Sequence, residues 1–308
     1  MNLLHMKYAV AVAECKSLNK AAESLYVGQS TLSRAIRELE DGLGIDIFER
    51  SAKGVALTPD GEVFIGYAKD IINQIDELES VFREGTLEKR RFSISVPRAS
   101  YITEAFARFS TLLDKNRETE IFYKETNSQR ALKNILQKDY KLGIIRYAEN
   151  FEKYYTSLAE EKGLKLELIT EFKYVLMASK RSPLAGRKVV YDDLKDYIEI
   201  AHADPYVPSL PFAKVKREEL PDVAARRIFV FERCSQFELL SHNPETFMWM
   251  SPLPTELIER YGLTRIDCDE NKRVYRDALV YGEDYKLSAL DRLFIEQLYK
   301  VRDEIIGR

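Results

Sequence analysis

Gln29, Ser30, Ser33, Arg34 and Arg37 are the residues of this chain with the clearest chemical use. Glutamine can pair two-pronged with adenine, arginine can do so with guanine, and serine suits a phosphate oxygen. A helix beginning at Gln29 gathers all five on one side, because residues three and four apart share a face. Leu32, Ile36 and Leu39 then form the opposite, buried stripe. An exposed helix face of this composition suits a DNA major groove. The plainer reading of the same pattern is a helical hairpin with a solvated face.

The flanking residues must position that helix. Asn19 reads as the N-cap of a short preceding helix, with Ala21 and Ala22 small enough for a close crossing and Leu25 as its apolar anchor. Val27-Gly28-Gln29 makes the turn, and Gly28 caps the next helix at little cost. Gly42-Leu43-Gly44 stops it. Residues 45–50 and 55–57 then read as two strands of a wing, with Gly54 supporting the turn between them. Arg50 and Lys53 at the wing are expected to reach backbone phosphates.

With residues 4–14 (LHMKYAVAVAE) and the run LEDGLGIDIFER at 39–50, this stretch resembles the winged helix-turn-helix of LysR-type transcriptional regulators. The resemblance is dense over roughly the first sixty residues. Three departures stand out. Gly28 stands where the family usually has serine, Ser30 where proline is common, and Ser51-Ala52-Lys53 replaces a more arginine-rich wing. They bear on DNA preference rather than on fold. The resemblance implies an operator of double-stranded DNA, a homodimer or homotetramer, a small-molecule effector and no cofactor. It leaves room for RNA polymerase as a further partner.

Thr58-Pro59-Asp60 is a strong helix start: hydroxyl cap, proline in the first turn, acid at the positive end of the dipole. The helix is expected to run to about Phe82. Phe64, Ala68, Ile71, Ile75, Leu78 and Phe82 recur at alternating steps of four and three, the spacing of a coiled-coil seam. Asp60, Lys69, Asp70, Asp76 and Glu77 are left for solvent. The stripe could pack on its own domain, but between two domains it reads better as a dimer seam. In LysR-type regulators the corresponding helix pairs two subunits.

After a charged hinge at 85–91 the pattern changes to strands alternating with helices, which implies a parallel sheet covered by helices. The expected organisation is a winged helix-turn-helix at 1–58, a linker helix and hinge at 59–89, and a two-lobed α/β domain at 90–308. Lobe I takes about 90–166 and 270–308, and lobe II about 167–269. This half resembles, more loosely, the LysR-family effector domain, which is similar to periplasmic binding proteins. The segment FKYVLMASKRSPLA at 172–185 carries that likeness, whereas an insert at 147–162 and SHNPETFMWMSPLP at 241–254 depart from it. One of Met248 and Trp249 is expected in the core, with the other pointing away.

Ligands of open α/β sheets sit beyond the carboxyl ends of the strands. That rule selects Arg98, Ser100 and Tyr101, then Thr126, Asn127 and Ser128, then Arg146, and in the other lobe His202, Asp204 and Ser251. Ser100 and Ser128 fall at helix starts, where free amides favour an anion. With Arg98 and Arg146 beside them, a small carboxylate is the expected effector class. The alternative is that the serines only cap their helices and that Arg146 sits in a solvent salt bridge.

Bulk properties narrow the rest. The chain has 308 residues and a formal net charge of −3, so any DNA binding must use a local patch. The sequence carries no signal-peptide pattern and no run of membrane-spanning length, and three widely spaced cysteines fit a reducing cytoplasm. His5, His202 and His242 lie apart, without metal-ligand spacing, and no phosphate-binding glycine loop occurs, so neither catalysis nor a metal is expected. A redox switch through Cys234 and Cys268 is the remaining rival, and neither cysteine has a resolving-pair motif.

Overall fold

The structure, a computed structural model, describes residues 2–51, 54–82, 90–203 and 224–307. Two units divide the chain, Met1–Glu88 and Lys89–Arg308.

The first unit begins with α1 (Leu3–Cys15), whose first turn is capped when Asn2 Oδ1 accepts from the Leu4 amide at 2.9 Å. Helices α2 (Leu18–Ser24) and α3 (Gln29–Leu43) follow. The cap of α2 is Ser17, not the expected Asn19: the Ser17 hydroxyl takes the Lys20 amide and leaves Asn19 inside the helix. Helix α3 starts behind Gly28 and ends at Gly44, which adopts the left-handed φ of 70° that glycine accepts without strain. Gly42 lies within α3. Strands β1 (Phe48–Ser51) and β2 (Gly54–Leu57) pair antiparallel as the wing. Tyr8, Ala9, Val12, Ala21, Ala22, Leu32, Ala35, Ile36, Leu39, Ile47 and Ile65 form one shared core.

Helix α4 (Pro59–Phe82) starts with the Gly61 amide donating to Thr58 Oγ1 at 2.9 Å. Its burial corrects the expected seam. Phe64 packs on the first unit's core, beside buried Ile65, and Ala68 is buried. Lys69 is drawn out of solvent by Glu14 of α1 at 3.5 Å. Among the described side chains, the large apolar residues that α4 exposes are Val63, Tyr67 and Ile71, at 60%, 67% and 37%. Ile75 is half-buried, and the side chains of Leu78 and Phe82 lie outside the described residues.

In the second unit, lobe I is a five-stranded sheet in the order β4-β3-β5-β12-β6, built from β3 (Arg90–Val96), β4 (Thr119–Glu125), β5 (Leu142–Ala148), β6 (Leu164–Lys173) and β12 (Val274–Gly282). Strands β3, β4 and β5 run parallel, and β12 runs antiparallel to both β5 and β6. Helices α5 (Ser100–Thr111) and α10 (Ala289–Ile305) cover one face. Helices α6 (Ser128–Leu136) and α7 (Glu152–Glu161) cover the other. The insert at 147–162 is therefore helical, and Tyr155 of α7 stacks on Tyr147 at 4.6 Å as part of that layer.

Lobe II is a second five-stranded sheet in the order β11-β7-β10-β8-β9. Its strands are β7 (Val175–Ser179), β8 (Ile198–His202), β9 (Arg226–Val230), β10 (Thr246–Met250) and β11 (Leu263–Ile266), with helices α8 (Arg233–His242) and α9 (Thr255–Arg260). All of β10 is buried, so the expectation that only one of Met248 and Trp249 is core is corrected. They do point to opposite faces, but Trp249 joins one core and Met248 the other, because β10 is the sheet's central strand.

The expected lobe boundary at 166/167 moves to 173/174. Leu164–Lys173 pairs with β12 along its whole length, so this stretch belongs to lobe I. Only Tyr174 separates β6 from β7, which hid the change of sheet within one apolar run. Asn271 Nδ2 donates to the Tyr174 carbonyl at 2.8 Å and ties the outgoing crossing to the returning one.

Candidate nucleic-acid interface and ligand cleft

On α3, Gln29, Ser30, Arg34 and Arg37 are exposed and Ser33 is half-buried, while Leu32, Ala35, Ile36 and Leu39 are buried beneath them. The five expected residues therefore share the outer face. Gly28, at the N-cap of α3, makes no side-chain cap. Arg34 Nε lies 2.9 Å from Glu38 Oε1, one turn along the helix. With the arginine side chain 82% exposed, that pair is weak and yields readily to a base or phosphate. The side chains of Arg50 and Lys53 lie outside the described residues.

Three further residues shape this face and carried little signal in the sequence. Tyr26, in the turn before α3, is 96% exposed at a φ of 54°. A bulky side chain in the left-handed region is uncommon and points to a use for the exposed ring. Glu40 turns inward, and its Oε1 accepts the amides of Ile47 (2.9 Å) and Phe48 (3.1 Å), which fixes the wing to α3. Gly61 sits so close to the residue leading into β1 that an added Cβ would lie 2.0 Å from the Ile47 carbonyl oxygen. A glycine inside a helix pattern was the only sequence signal for that contact.

The second unit assigns most of the expected ligand residues to internal bonds. Arg146 departs from the expectation. It is neither free for a carboxylate nor in a solvent bridge: Nε and Nη2 grip Asp277 Oδ1 and Oδ2 at 2.7 and 2.6 Å. Asp277 is fully buried, and the guanidinium also lies over the Phe172 ring, 4.7 Å from its centroid. Burial acts to lower the Arg146 pKa, but the Asp277 charge, the hydrogen bonds to that carboxylate and the nearby Tyr174 and Tyr101 together outweigh it, so the net shift is upward. Tyr101 is likewise corrected: it is fully buried, and its hydroxyl donates to Asp277 Oδ2 at 2.7 Å. Burial, then the Asp277 charge, raises the phenol pKa and keeps that proton in place. Tyr174 stacks on Tyr275 at 4.1 Å beside this group, so the cluster sits where the chain crosses between lobes.

Neither serine caps its helix. Ser128 stitches α6 to β5, with its hydroxyl donating to the Arg146 carbonyl (2.6 Å) and accepting the Arg146 amide (2.9 Å). The cap of α6 is Asn127, which accepts the Arg130 amide, and the N-cap position of α5 is Ala99. Thr126 is buried, its amide donating to the Val96 carbonyl at 2.8 Å. Arg98 and His202 are half-buried, Ser251 is buried at the end of β10, and Asp204 lies outside the described residues.

Ser100 is different. Its hydroxyl accepts from Arg233 Nη1 at 3.2 Å, and Arg233 belongs to lobe II. The same guanidinium places Nε 2.9 Å from Glu125 Oε1 at the end of β4. Glu125 also accepts from Thr103 Oγ1 at 3.2 Å. The described lobes thus meet over Ser100, Thr103, Glu125 and Arg233. Sequence reasoning missed Glu125, the last residue of β4, and Arg233, because nothing in residue order shows that the helix opened by Arg233 faces that strand end.

Among the described residues no group of three or more metal-ligating side chains comes together, and no helix is long and apolar enough to cross a membrane. Burial raises the Cys268 thiol pKa, the opposite of what a reactive thiolate needs.

Residues 3–62 match the family model of bacterial regulatory helix-turn-helix proteins of the lysR family. The HTH-type transcriptional regulator BenM of Acinetobacter baylyi is 42% identical over 81 residues, which span 26% of this chain and 27% of that protein. The match therefore covers about a quarter of that relative's length. Among solved structures, ArgP from Mycobacterium tuberculosis superposes with a TM-score of 0.64 at 15% identity, over 98% of this chain and 97% of that one. A full-length OxyR variant from Pseudomonas aeruginosa gives 0.62 at 16% identity, over 99% and 95%. Both likenesses extend the common fold from the helix-turn-helix through the two-sheet α/β unit.

Proposed function

We propose that this chain, which belongs to the LysR family of bacterial helix-turn-helix regulators, binds double-stranded DNA as a dimer or a tetramer and is controlled by a small ligand taken between the lobes of its α/β unit. The observation that carries the DNA reading is the outer face of α3, where Gln29, Ser30, Arg34 and Arg37 stand exposed over a fully apolar inner face. On a chain of net charge −3, such a local patch reads bases rather than coating nucleic acid. Two copies would place two α3 helices in successive major grooves of a two-fold symmetric site. RNA polymerase fits this role as a later partner.

Selection of bound duplexes from a random pool by the full-length protein tests the reading. An enriched site with paired half-sites is the expected outcome, and recovery of none would sink it. On that site Arg34→Ala is expected to lose about 1–3 kcal/mol and to relax preference at one base pair. A uniform loss on all sequences would make Arg34 a phosphate contact instead.

The dimer reading rests on Val63, Tyr67 and Ile71, a stripe of exposed apolar side chains along α4. Ile71→Asp is expected to give monomers in sedimentation, together with weaker binding to the paired site. An intact dimer would remove α4 from the interface.

A ligand controls such a protein only by preferring one state over the other. Small carboxylates and aromatics are the compounds to screen by thermal shift on the full chain. A compound that raises the melting temperature and changes DNA affinity is the expected find. If no compound does either, the ligand-responsive reading fails while the DNA reading stands.

A further inference from the structure

Arg233 is the first residue of α8, a position where the helix dipole disfavours a cation and where Glu232 provides no side-chain cap. Its own helix gives it one weak contact, the Phe237 ring at 5.8 Å. Its strong partners both lie in the other lobe: Glu125 at 2.9 Å and Ser100 at 3.2 Å. A residue that breaks a local rule and is satisfied only at a cleft marks a functional position.

The pair is built for exchange. The arginine and glutamate side chains are 15% and 22% exposed, so water can reach both. Nε of Arg233 lies 2.9 Å from Glu125 Oε1 while Nη1 is given to Ser100 Oγ, so the guanidinium is divided between two partners and not committed to one carboxylate. Glu125 would not be orphaned by losing Arg233, because Thr103 still donates to Oε1. The Arg146–Asp277 pair lacks this freedom, being bidentate, with Asp277 fully buried.

We propose that Arg233 is the specificity-determining residue of the cleft. Glu125 is its resting partner and stands in for the carboxylate of the ligand, which displaces Glu125 and pairs with Arg233 beside Ser100. The ligand class is a small carboxylate. This inference rests on the ligand-responsive reading above and replaces Arg146 with Arg233 as the cation that reads the anion.

Propionate, the side chain of glutamate as a free molecule, is the probe. Hydrogen exchange in the first turns of α5 and α8 is followed in the full-length protein, in sodium propionate against sodium chloride at equal ionic strength. Glu125→Ala and Arg233→Gln are each expected to raise exchange there several-fold. Propionate is expected to restore protection saturably in Glu125→Ala, and not in Arg233→Gln or in the double variant. Unchanged exchange in Glu125→Ala, or no rescue by propionate, overturns the proposal. Rescue that persists in the double variant also overturns it, but leaves a carboxylate-binding cleft in place, so the two failures are distinguishable. Emission of Trp249, the single tryptophan and part of the lobe II core, checks that each variant is folded. Should Glu125→Ala lose native emission, Glu125→Gln takes its place: raised exchange upholds the pair, and unchanged exchange overturns it.

Discussion

Asp277→Ala is expected to destabilise the α/β unit by about 3–5 kcal/mol, the cost of leaving one partner of a buried ion pair uncompensated. Asp277 is fully buried and holds two groups at once, the Arg146 guanidinium through both carboxylate oxygens and the Tyr101 hydroxyl. Its removal strands a charge that lies against Phe172 with little access to water. Urea unfolding followed by Trp249 emission measures the loss, because this lone tryptophan reports on the α/β unit and not on the helix-turn-helix. Replacing both charges, as Arg146→Met with Asp277→Leu, is expected to recover most of it, since well-packed apolar side chains often equal a buried pair. A loss under about 1 kcal/mol for Asp277→Ala would mean that water reaches the pair and that the crossing between lobes is not locked there.

Gly61→Ala is expected to cost about 3 kcal/mol in the first unit, at the upper end of the overpacking range. The sign is opposite to the usual one: alanine normally improves a helix over glycine by about 1 kcal/mol. Here the new Cβ would meet the Ile47 carbonyl oxygen at 2.0 Å, and a backbone atom cannot rotate away. Either α4 or β1 must move, and β1 is the strand that Glu40 fixes to α3. DNA affinity should therefore fall together with stability. Gly66 of the same helix is the control, since nothing lies within 4 Å of its added Cβ. Gly66→Ala is expected to be neutral or stabilising, measured by thermal unfolding in far-ultraviolet circular dichroism. Equal effects at the two positions would place the cause in helix propensity and not in the close approach to Ile47.

The helix-turn-helix was legible because its information is local. Gln29 to Arg37 and the apolar stripe beneath them follow from a period of 3.6 residues, and Gly28 and Gly44 mark where that period starts and stops. The alternation of strand and helix in the second unit was legible for the same reason. The seam of α4 was half legible. Its period is real, but which apolar stripe stays exposed depends on what α1 and the wing cover, and that moved the stripe from Phe64 and Ala68 to Val63 and Tyr67. The change of sheet at Tyr174 was not legible, since β6 and β7 read as one run and only the pairing with β12 separates them.

The cleft divides the two kinds of information most sharply. The rule about strand ends brought Ser100, Tyr101 and Arg146 into view from sequence order alone. Their roles were set by residues far along the chain: Asp277 claims Arg146 and Tyr101, and Arg233 meets Ser100 and Glu125. Periodicity and capping act between near neighbours, so residue order alone was enough to locate the helices, most of the strands and the exposed polar face of α3. Which charges are spent in the core and which remain at the cleft was settled by packing between distant segments. An ion pair forms between whatever the fold brings within a few ångströms, and sequence separation does not limit that reach.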